Sequence, residues 1–496
     1  MSEGLFQKLP LPDGGTVRQP VGLYIDGQWI KSREVLETVD PATEEVITKV
    51  YLAGTEEVDL AVKAARNAFK NWRKVHGSER GSLLMKLADA AEKHIDTLSA
   101  IEAMDSGKPK DSNARGDVEG TIALLRYCAG WADKIYGSVI PTGSEKLAYS
   151  KRLPIGVCGQ IVPWNYPLNM AGWKIAPALA AGNCIIIKSA ETTPLSLLYF
   201  AQLVDKVGFP KGVVNIISGL GKVAGSHIAS HPGIDKIAFT GSTEIGSTIQ
   251  KLASSNLKTV TLECGGKSPF IVFEDADIEQ AVKWAAVGIV FNSGQICTGN
   301  SRIYVQEKVY EKFLEKFKDH VLADYKLGSP FDESTVVGPV VNKVQYDRVL
   351  HYINVGKNEG ARVVLGNEQN PSKKGYFIHP VIFADCHQGM TIVKDEIFGP
   401  VVAVSKFTTE DEVLEKANDS IYGLAAMCFT QNLERAHRVS DELETGMVFI
   451  NSAENSDIQA PFGGVKMSGI GSELGAPGIE TYTHLKTVHL NLSNKL

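Results

Sequence analysis

The chemistry in this sequence begins with a cysteine. Cys297 lies in Phe291-Asn-Ser-Gly-Gln-Ile-Cys297-Thr-Gly-Asn-Ser-Arg302, a run rich in glycine, serine and asparagine just ahead of a β-prone stretch. A thiol in such a segment is more accessible than one inside an apolar run such as Cys184. The thiolate is the reactive form, and a free thiol of pKa about 8.5 is only a few per cent ionised near neutrality, so a nucleophile here needs a proton acceptor. Glu263, in Thr261-Leu-Glu263-Cys264-Gly-Gly-Lys267-Ser-Pro269, is a candidate acceptor at a strand end, and the two glycines after Cys264 permit close approach of backbone or ligand. Spacing alone leaves a surface salt bridge open for it. Asn165, between Trp164 and Tyr166 in Gln160-Ile-Val-Pro-Trp-Asn-Tyr-Pro167, offers a side-chain N–H to an oxyanion, or else an Asx turn held by the prolines.

A second set of residues has the types that hold a nucleotide. Gly219-Leu-Gly221-Lys-Val-Ala-Gly225 is one residue longer than the dinucleotide fingerprint. Phe239-Thr-Gly241-Ser242-Thr-Glu-Ile245-Gly246 reads as a strand end, a glycine turn and a helix start, where backbone N–H groups and the helix dipole favour a pyrophosphate. Plain turn glycines are the alternative for both. Lys188 ends an apolar run, with Glu191 three residues on. A lysine there donates to ribose hydroxyls or phosphate, and a carboxylate accepts from a ribose 2′-OH and repels a 2′-phosphate, so a working Glu191 favours NAD over NADP. A solvated loop is the bland reading of this pair. His227 and His231 have the i, i+4 spacing of a metal pair but no third ligand nearby in the sequence, and no metal is expected.

These residues need a scaffold, and the periodicity supplies one. Apolar runs at Val157–Val162, Cys184–Lys188, Val213–Ile217, Lys236–Thr240 and Thr259–Glu263 alternate with helical segments such as Leu195–Val207 and Glu244–Ala253. Repeated βαβ units predict an α/β fold with a parallel, doubly wound sheet that binds ligands at the carboxyl ends of its strands. A second alternation runs from Pro269–Phe273 through Arg302–Val305, Phe377–Phe383 and Val401–Phe407, predicting a second α/β domain. Upstream, Gly22–Ile30 carries a hairpin signal around Asp26-Gly27, and Val58, Val62, Ala65, Phe69 and Trp72 form a helical stripe. Val488, Leu490 and Leu492 alternate with polar residues, as in a strand half covered by something, such as another subunit.

Composition narrows the class further. The chain has 496 residues, 44% hydrophobic and 22% charged, an ordinary globular profile. With 51 Lys+Arg against 57 Asp+Glu, the net charge of −6 gives no reason to expect nucleic acid. The seven cysteines, Cys128, Cys158, Cys184, Cys264, Cys297, Cys386 and Cys428, include no C-x-x-C pair and read as thiols in a reducing compartment. The first fifteen residues show neither a secretory nor a transit signal, and no apolar run reaches the roughly 18 residues that span a bilayer. A cytosolic location is therefore expected, although the final Asn494-Lys495-Leu496 differs by one residue from a peroxisomal address.

Taken together, the motifs resemble the NAD(P)-dependent aldehyde dehydrogenase superfamily, in the style of its fungal cytosolic branch. Pro163-Trp164-Asn165, Lys188 with Glu191, Phe239-Thr-Gly241-Ser242, Glu263-Cys-Gly-Gly-Lys-Ser-Pro, Gly294-Gln-Ile-Cys297, Glu396-Ile-Phe398-Gly-Pro400 and Pro461-Phe462-Gly-Gly-Val-Lys466 occur in the family's order across about 20–496. The resemblance implies an NAD(P)-binding domain over 20–133 and 155–265, a catalytic domain over 266–466, and a small β extension for oligomerisation over 134–154 and 480–496. It implies catalysis by Cys297, Glu263 and Asn165. Cofactor contacts would come from Ile161, Pro163, Trp164, Lys188, Glu191, Gly221, Gly225, Phe239, Gly241, Ser242, Ile245, Gly246, Gln345, Glu396 and Phe398. Substrate contacts would come from Tyr166, Trp173, Ile296, Thr298, Ser456 and Phe462.

The implied reaction is NAD- or NADP-linked oxidation of an aldehyde to a carboxylate through a thiohemiacetal and a thioester on Cys297, by a homodimer or homotetramer. Two family positions differ: Ser189 follows Lys188 where proline is usual, and Cys264 follows Glu263 where leucine is usual. Asn451–Ala460, which by similarity lines the substrate tunnel, is polar, so small or polar aldehydes such as acetaldehyde or aminoaldehydes are expected. A CoA-acylating dehydrogenase needs no water-activating carboxylate and is disfavoured by Glu263. A non-catalytic protein of the same fold is disfavoured by the joint presence of Cys297, Glu263 and Asn165.

Overall fold

The computed structural model describes residues 4–366 and 374–493, so Asn494-Lys495-Leu496 lies outside the described residues. Strands Val157–Ile161, Cys184–Ser189, Val214–Ser218, Lys236–Thr240 and Thr259–Glu263 form the parallel heart of an eight-stranded sheet. The first four are buried along their whole length, which is why they read as continuous apolar runs: helices cover both faces of a parallel sheet. The chain builds outward from Val157–Ile161 through the 184 and 214 strands, then returns to its other side with the 236 and 259 strands. The switch point therefore lies between Val157–Ile161 and Lys236–Thr240, and the cleft past their carboxyl ends is where such a sheet binds ligands.

The edges are antiparallel. The hairpin Leu23–Ile25/Gln28–Ile30 turns through Asp26 and Gly27, at φ 54° and 70°, which suits a two-residue turn of the primed type. Asn215 Oδ1 accepts from the Asp26 N–H at 3.1 Å, fastening the turn to the sheet. The striped helix is Thr55–Trp72, with the Glu57 carboxylate accepting from the Gly54 N–H at its start.

Seven strands make the second sheet, including Pro269–Val272, Arg302–Gln306, Val401–Phe407, Ala425–Phe429 and Met447–Ile450, all parallel, with Arg362–Leu365 antiparallel at one edge. The strand expected over 377–383 is limited to Val381–Ala384. Pro380 has no N–H to give a ladder, and the strand begins just after it; Phe377 and Ile378 are buried.

Only Cys264–Ser268 separates the last parallel strand of the first sheet from the first of the second. This link is stitched from three sides. Cys264 N–H donates to Ser468 O at 2.8 Å, Gly266 N–H donates to Glu396 Oε1 at 2.9 Å, and Gly469–Ile470 pairs antiparallel with Leu262–Glu263. After this return, Ile479 and Tyr482 pack in the core of the first sheet. Lys146–Pro154 and Thr483–Asn491 then pair along their full lengths, with Val139–Ile140 alongside. Among the described residues, no helix is long and apolar enough to cross a membrane.

Candidate active site

A cavity of about 570 Å³ opens at the switch point. The two central strands bring Pro163–Tyr166 and Thr240–Glu244 to its wall, and the link between sheets brings Glu263, Cys264 and Gly265. Ile296–Thr298, Gln345, Glu396, Phe398, Ser456 and Phe462 come from the second half of the chain, and Trp173 from the helix Pro167–Ala180. Three residues far apart in sequence, Asn165, Glu263 and Cys297, thus face one space.

Local backbone geometry fixes the cysteine. Asn292, Ser293 and Gly294 all have left-handed φ, at 49°, 55° and 69°, so the chain turns sharply after the helix Ile278–Val290. A Cβ at Gly294 would sit 2.1 Å from Gly399 O, and one at Gly266 would sit 2.3 Å from Cys297 O, so glycine is required for these close approaches. Asn165 Nδ2 donates to Gln295 O at 2.9 Å, and Asn292 Nδ2 donates back to Asn165 O at 3.1 Å. One amide hydrogen of Asn165 is thereby engaged in holding the cysteine loop, and the amide carries a second. Of the seven cysteines, six are buried and Cys297 alone is partly exposed.

The site is rich in carboxylates, Glu263, Glu396 and Glu454, that form no ion pair among the described residues. Burial pushes the Glu263 carboxyl well above its ordinary range; the Glu473 charge adds to this and Lys174 opposes it. Both Glu263 oxygens are buried without a hydrogen-bond partner. Burial also raises Glu396 to about 7, against the opposing Gly266 N–H, and Glu454 to about 7. The Cys297 thiol is pushed up by burial and by the charges of Glu454, Glu396 and Glu263.

Beyond the cavity the nucleotide-type residues lie close to one another. Lys188 is buried, with Nζ donating to Ser189 O at 2.7 Å and Gly219 O at 2.8 Å and lying 3.4 Å from Glu191 Oε2. A Cβ at Gly225 would lie 3.5 Å from Lys188 Cε and 4.0 Å from Ile161 Cδ1, and one at Gly221 would lie 3.9 Å from Glu191 Oε1. Gly221–Gly225 is a single π-helical turn leading into the short helix Ser226–Ser230. Ser242 caps the helix Thr243–Ala253 by accepting from Ile245 N–H, leaving first-turn N–H groups for an anion. Ile245 is 48% exposed and Val223 42%, apolar side chains left open on the two glycine-bearing turns. These features fit a dinucleotide.

Some expected contacts take supporting positions. Phe239 is buried, and a Cβ at Gly241 would come within 2.5 Å of its ring; a Cβ at Gly246 would meet Cys264 Sγ at 2.5 Å. Phe239 and Gly246 therefore lie behind the turn. Gln345 Nε2 donates to Phe398 O at 2.7 Å, holding Phe398 at φ 61° with its ring 5.3 Å from that of Trp164.

The structure also brings Asp59 to His227 and His231, the third ligand that spacing lacked. His231 Nδ1 accepts from Gly233 N–H at 2.8 Å, so the proton of its neutral ring resides on Nε2, the atom 3.2 Å from Asp59. With that lone pair occupied, the trio is a hydrogen-bonded cluster.

Residues 29–488 match the model of the aldehyde dehydrogenase family. The chain belongs to that family. It is 75% identical over 496 residues, all of both chains, to an aldehyde dehydrogenase-like protein of Schizosaccharomyces pombe. It is 51% identical over 488 residues, 96% of each chain, to aldehyde dehydrogenase [NAD(P)+] 1 of Saccharomyces cerevisiae. Its fold is similar to an aldehyde dehydrogenase of Bacillus cereus solved as an NAD+ complex, with TM-score 0.93 and 46% identity over 95% of this chain and 97% of that one.

This aldehyde dehydrogenase contains site residues that sequence reasoning passed over. Lys174 Nζ, fully buried, pairs with Glu473 at 2.7 Å and donates to Thr240 Oγ1 at 2.6 Å, next to Glu263. Arg348 Nη2 donates to Glu396 O at 2.7 Å. Glu454 lines the cavity beside Thr298, in the stretch from which sequence reasoning singled out Ser456. A carboxylate within an otherwise uncharged run, Asn451–Ser456, was the available signal.

Proposed function

We propose that this chain oxidises an aldehyde to its carboxylate with NAD or NADP, through a covalent intermediate on Cys297. The observation that carries the reading is the convergence of Cys297, Glu263 and the amide of Asn165 on one cavity, with Asn165 tied to the cysteine loop. Cys297 gives its proton to Glu263 as its sulfur bonds to the aldehyde carbon, opening the C=O bond. The second amide N–H of Asn165 and the backbone N–H of Cys297 hold the resulting oxyanion. When bound, the nicotinamide cofactor supplies the hydride acceptor that turns the thiohemiacetal into a thioester. Glu263, its proton passed to solvent, then takes a proton from water while the water oxygen attacks the thioester carbon. The C–S bond breaks, the proton on Glu263 returns to the Cys297 sulfur, and the acid leaves as the carboxylate with its proton going to solvent.

Burial of Glu263 without a partner supports its role, because a raised pKa makes a stronger base. Glu396 would accept from nicotinamide ribose hydroxyls, with Phe398 and Trp164 beside the ring. Lys188 and Glu191 would take the adenine ribose, Ser242 and its helix the pyrophosphate, and Ile161, Gly221, Gly225 and Ile245 the groove around them. Tyr166, Trp173 and Phe462, with the last two rings 4.8 Å apart, and the polar Ser456 and Thr298 support a small aliphatic or polar substrate. Leu485, Leu490 and Leu492, 59%, 46% and 58% exposed in the single chain, support pairing with further copies as a dimer or tetramer. The seven free cysteines support a reducing compartment such as the cytosol.

The test is spectroscopic. Purified protein is mixed with NAD, then NADP, and a panel of short-chain, amino and aromatic aldehydes, and reduced cofactor is followed by absorbance. Reduction by at least one aldehyde is expected, with Cys297→Ala slower by about 10³-fold or more. Full activity in Cys297→Ala would overturn the covalent route.

A further inference from the structure

A buried lysine in the link between the sheets has no task in the steps above. Lys267 follows Gly265 and Gly266, is 1% exposed, and its Nζ has no hydrogen-bond partner among the described residues. Burial lowers its ammonium to about 7; Arg302 adds to this, while Glu396, then Asp395 and the Cys386 thiol, oppose it. An ammonium taken out of water with no acceptor is costly, and an opposite charge nearby is what offsets that cost.

Of the groups facing Lys267, Glu396 is the one that answers its charge. Arg302 is a like charge, with Nε donating to Lys267 O at 2.7 Å and Nη2 to Ala417 O at 2.9 Å. Asp395 is exposed, and its Oδ2 accepts from Tyr352 OH at 3.0 Å. Burial pushes the Cys386 thiol up to about 12, so it stays uncharged. Glu396 Oε1 accepts from the Gly266 N–H at 2.9 Å, and a Cβ at Gly265 would come within 2.4 Å of Oε2. The carboxylate thus lies against the backbone of the two residues before Lys267. Lys267 and Arg348 are the cations that favour its ionised form, and Arg348 Nη2 is bonded to the Glu396 backbone O at 2.7 Å.

We propose that Lys267 is a positioning residue for the cofactor: its buried ammonium is the counter-charge of Glu396, the carboxylate that takes the nicotinamide ribose, and it acts on the dinucleotide through that carboxylate without touching it. This rests on the cofactor placement proposed above. Hydrogen bonds to an ionised carboxylate are stronger than those to a neutral carboxyl, so a cation behind Glu396 tightens its hold on ribose hydroxyls. The help matters most after hydride transfer. Glu396 gains ionisation from the positive charge of an oxidised nicotinamide ring and loses that support once the ring is reduced, whereas the Lys267 charge serves both states.

The experiment measures binding and needs no turnover. NAD and NADH are titrated between about pH 6 and 9 by quenching of tryptophan fluorescence, with Trp164 on the cavity wall as a reporter. In wild type, affinity should rise with pH as Glu396 ionises. Lys267→Met removes a cation and raises Glu396 further, so NADH binding should weaken about tenfold near pH 7, NAD binding less, and the rise should move up by about one pH unit. Lys267→Arg, whose charge is permanent, should move the rise down, and it keeps the test open should Lys267→Met fail to fold. In a Glu396→Gln background, Lys267→Met should change neither affinity. A rise left at the wild-type pH in the Lys267 variants, equal losses for NAD and NADH in Lys267→Met, or a full effect of Lys267→Met in the Glu396→Gln background would overturn the proposal. Wild type that binds neither dinucleotide would instead overturn the cofactor placement on which it rests.

Discussion

Two sets of buried charge in this molecule are handled in opposite ways. Two buried lysines away from the reacting thiol are closed upon carboxylates. Lys108 pairs with Asp117, lies 4.0 Å from Glu102 and covers the Tyr166 ring at 3.9 Å, and Lys174 pairs with Glu473. Inside the cavity, Glu263 and Glu454 have no ion-pair partner among the described residues, and both Glu263 oxygens and one of Glu454 lack any hydrogen bond. Closing a pair within the chain satisfies the fold, whereas an open carboxylate holds its proton tightly and keeps its lone pairs for something that arrives. The contrast is sharpest where the sets meet: Glu473 raises Glu263 more than Lys174 lowers it, because the lysine's hydrogen bonds are directed at Glu473 and Thr240.

The largest expected effect comes from removing an open carboxylate. Glu263→Gln should slow steady-state turnover by roughly 10²–10⁴-fold. Where hydrolysis is the step lost, rapid mixing should show a burst of reduced cofactor before the slow phase. In wild type, Glu263 works as a base only when ionised, so kcat should rise with pH through its raised pKa, and this limb should vanish in the variant. No change in rate or pH profile would show that the open carboxylate is a structural accident.

Breaking a closed pair should act on stability. Lys174→Met leaves Glu473 buried and unpaired, and a loss of about 3–5 kcal/mol in denaturant unfolding is expected. Glu263→Gln should do the reverse. The native state keeps a proton on Glu263 that the unfolded chain releases above about 4.5, so wild-type stability falls as pH rises from there toward the raised native value. The variant should therefore gain on wild type as pH increases through that window. Equal stability loss in both variants would erase the distinction between the two sets.

The smallest effect belongs to a pair midway between the two kinds. Lys188 is buried and Glu191 half-exposed, 3.4 Å apart. Glu191→Gln should move the NAD over NADP preference in kcat/KM by about tenfold toward NADP, the order of one lost charge repulsion. An unchanged ratio would assign Glu191 to the loop alone.

How much of this was legible from residues depends on the range of the interaction. The central parallel strands appear as apolar runs because both faces of each are covered, and the helix at Thr243 is announced by Ser242 because capping is local. Cys297 separates from six other cysteines by its polar, glycine-bearing neighbourhood, which a short window contains. The strand at 377 fails at Pro380, a local signal outweighed by the apolar run around it. By contrast, Lys174 and Glu473 are 299 residues apart, and Thr298 and Glu454 are 156 apart. Neither lysine nor glutamate carries a pattern that names its partner.

The sequence by itself determined which groups could do chemistry and the order in which strands and helices would present them, because nucleophile, base, amide and glycine turns are properties of short segments. Tertiary structure alone decided which charges close on each other and which stay open. That outcome depends on desolvation and on distances set by the meeting of two sheets, neither of which any single segment contains.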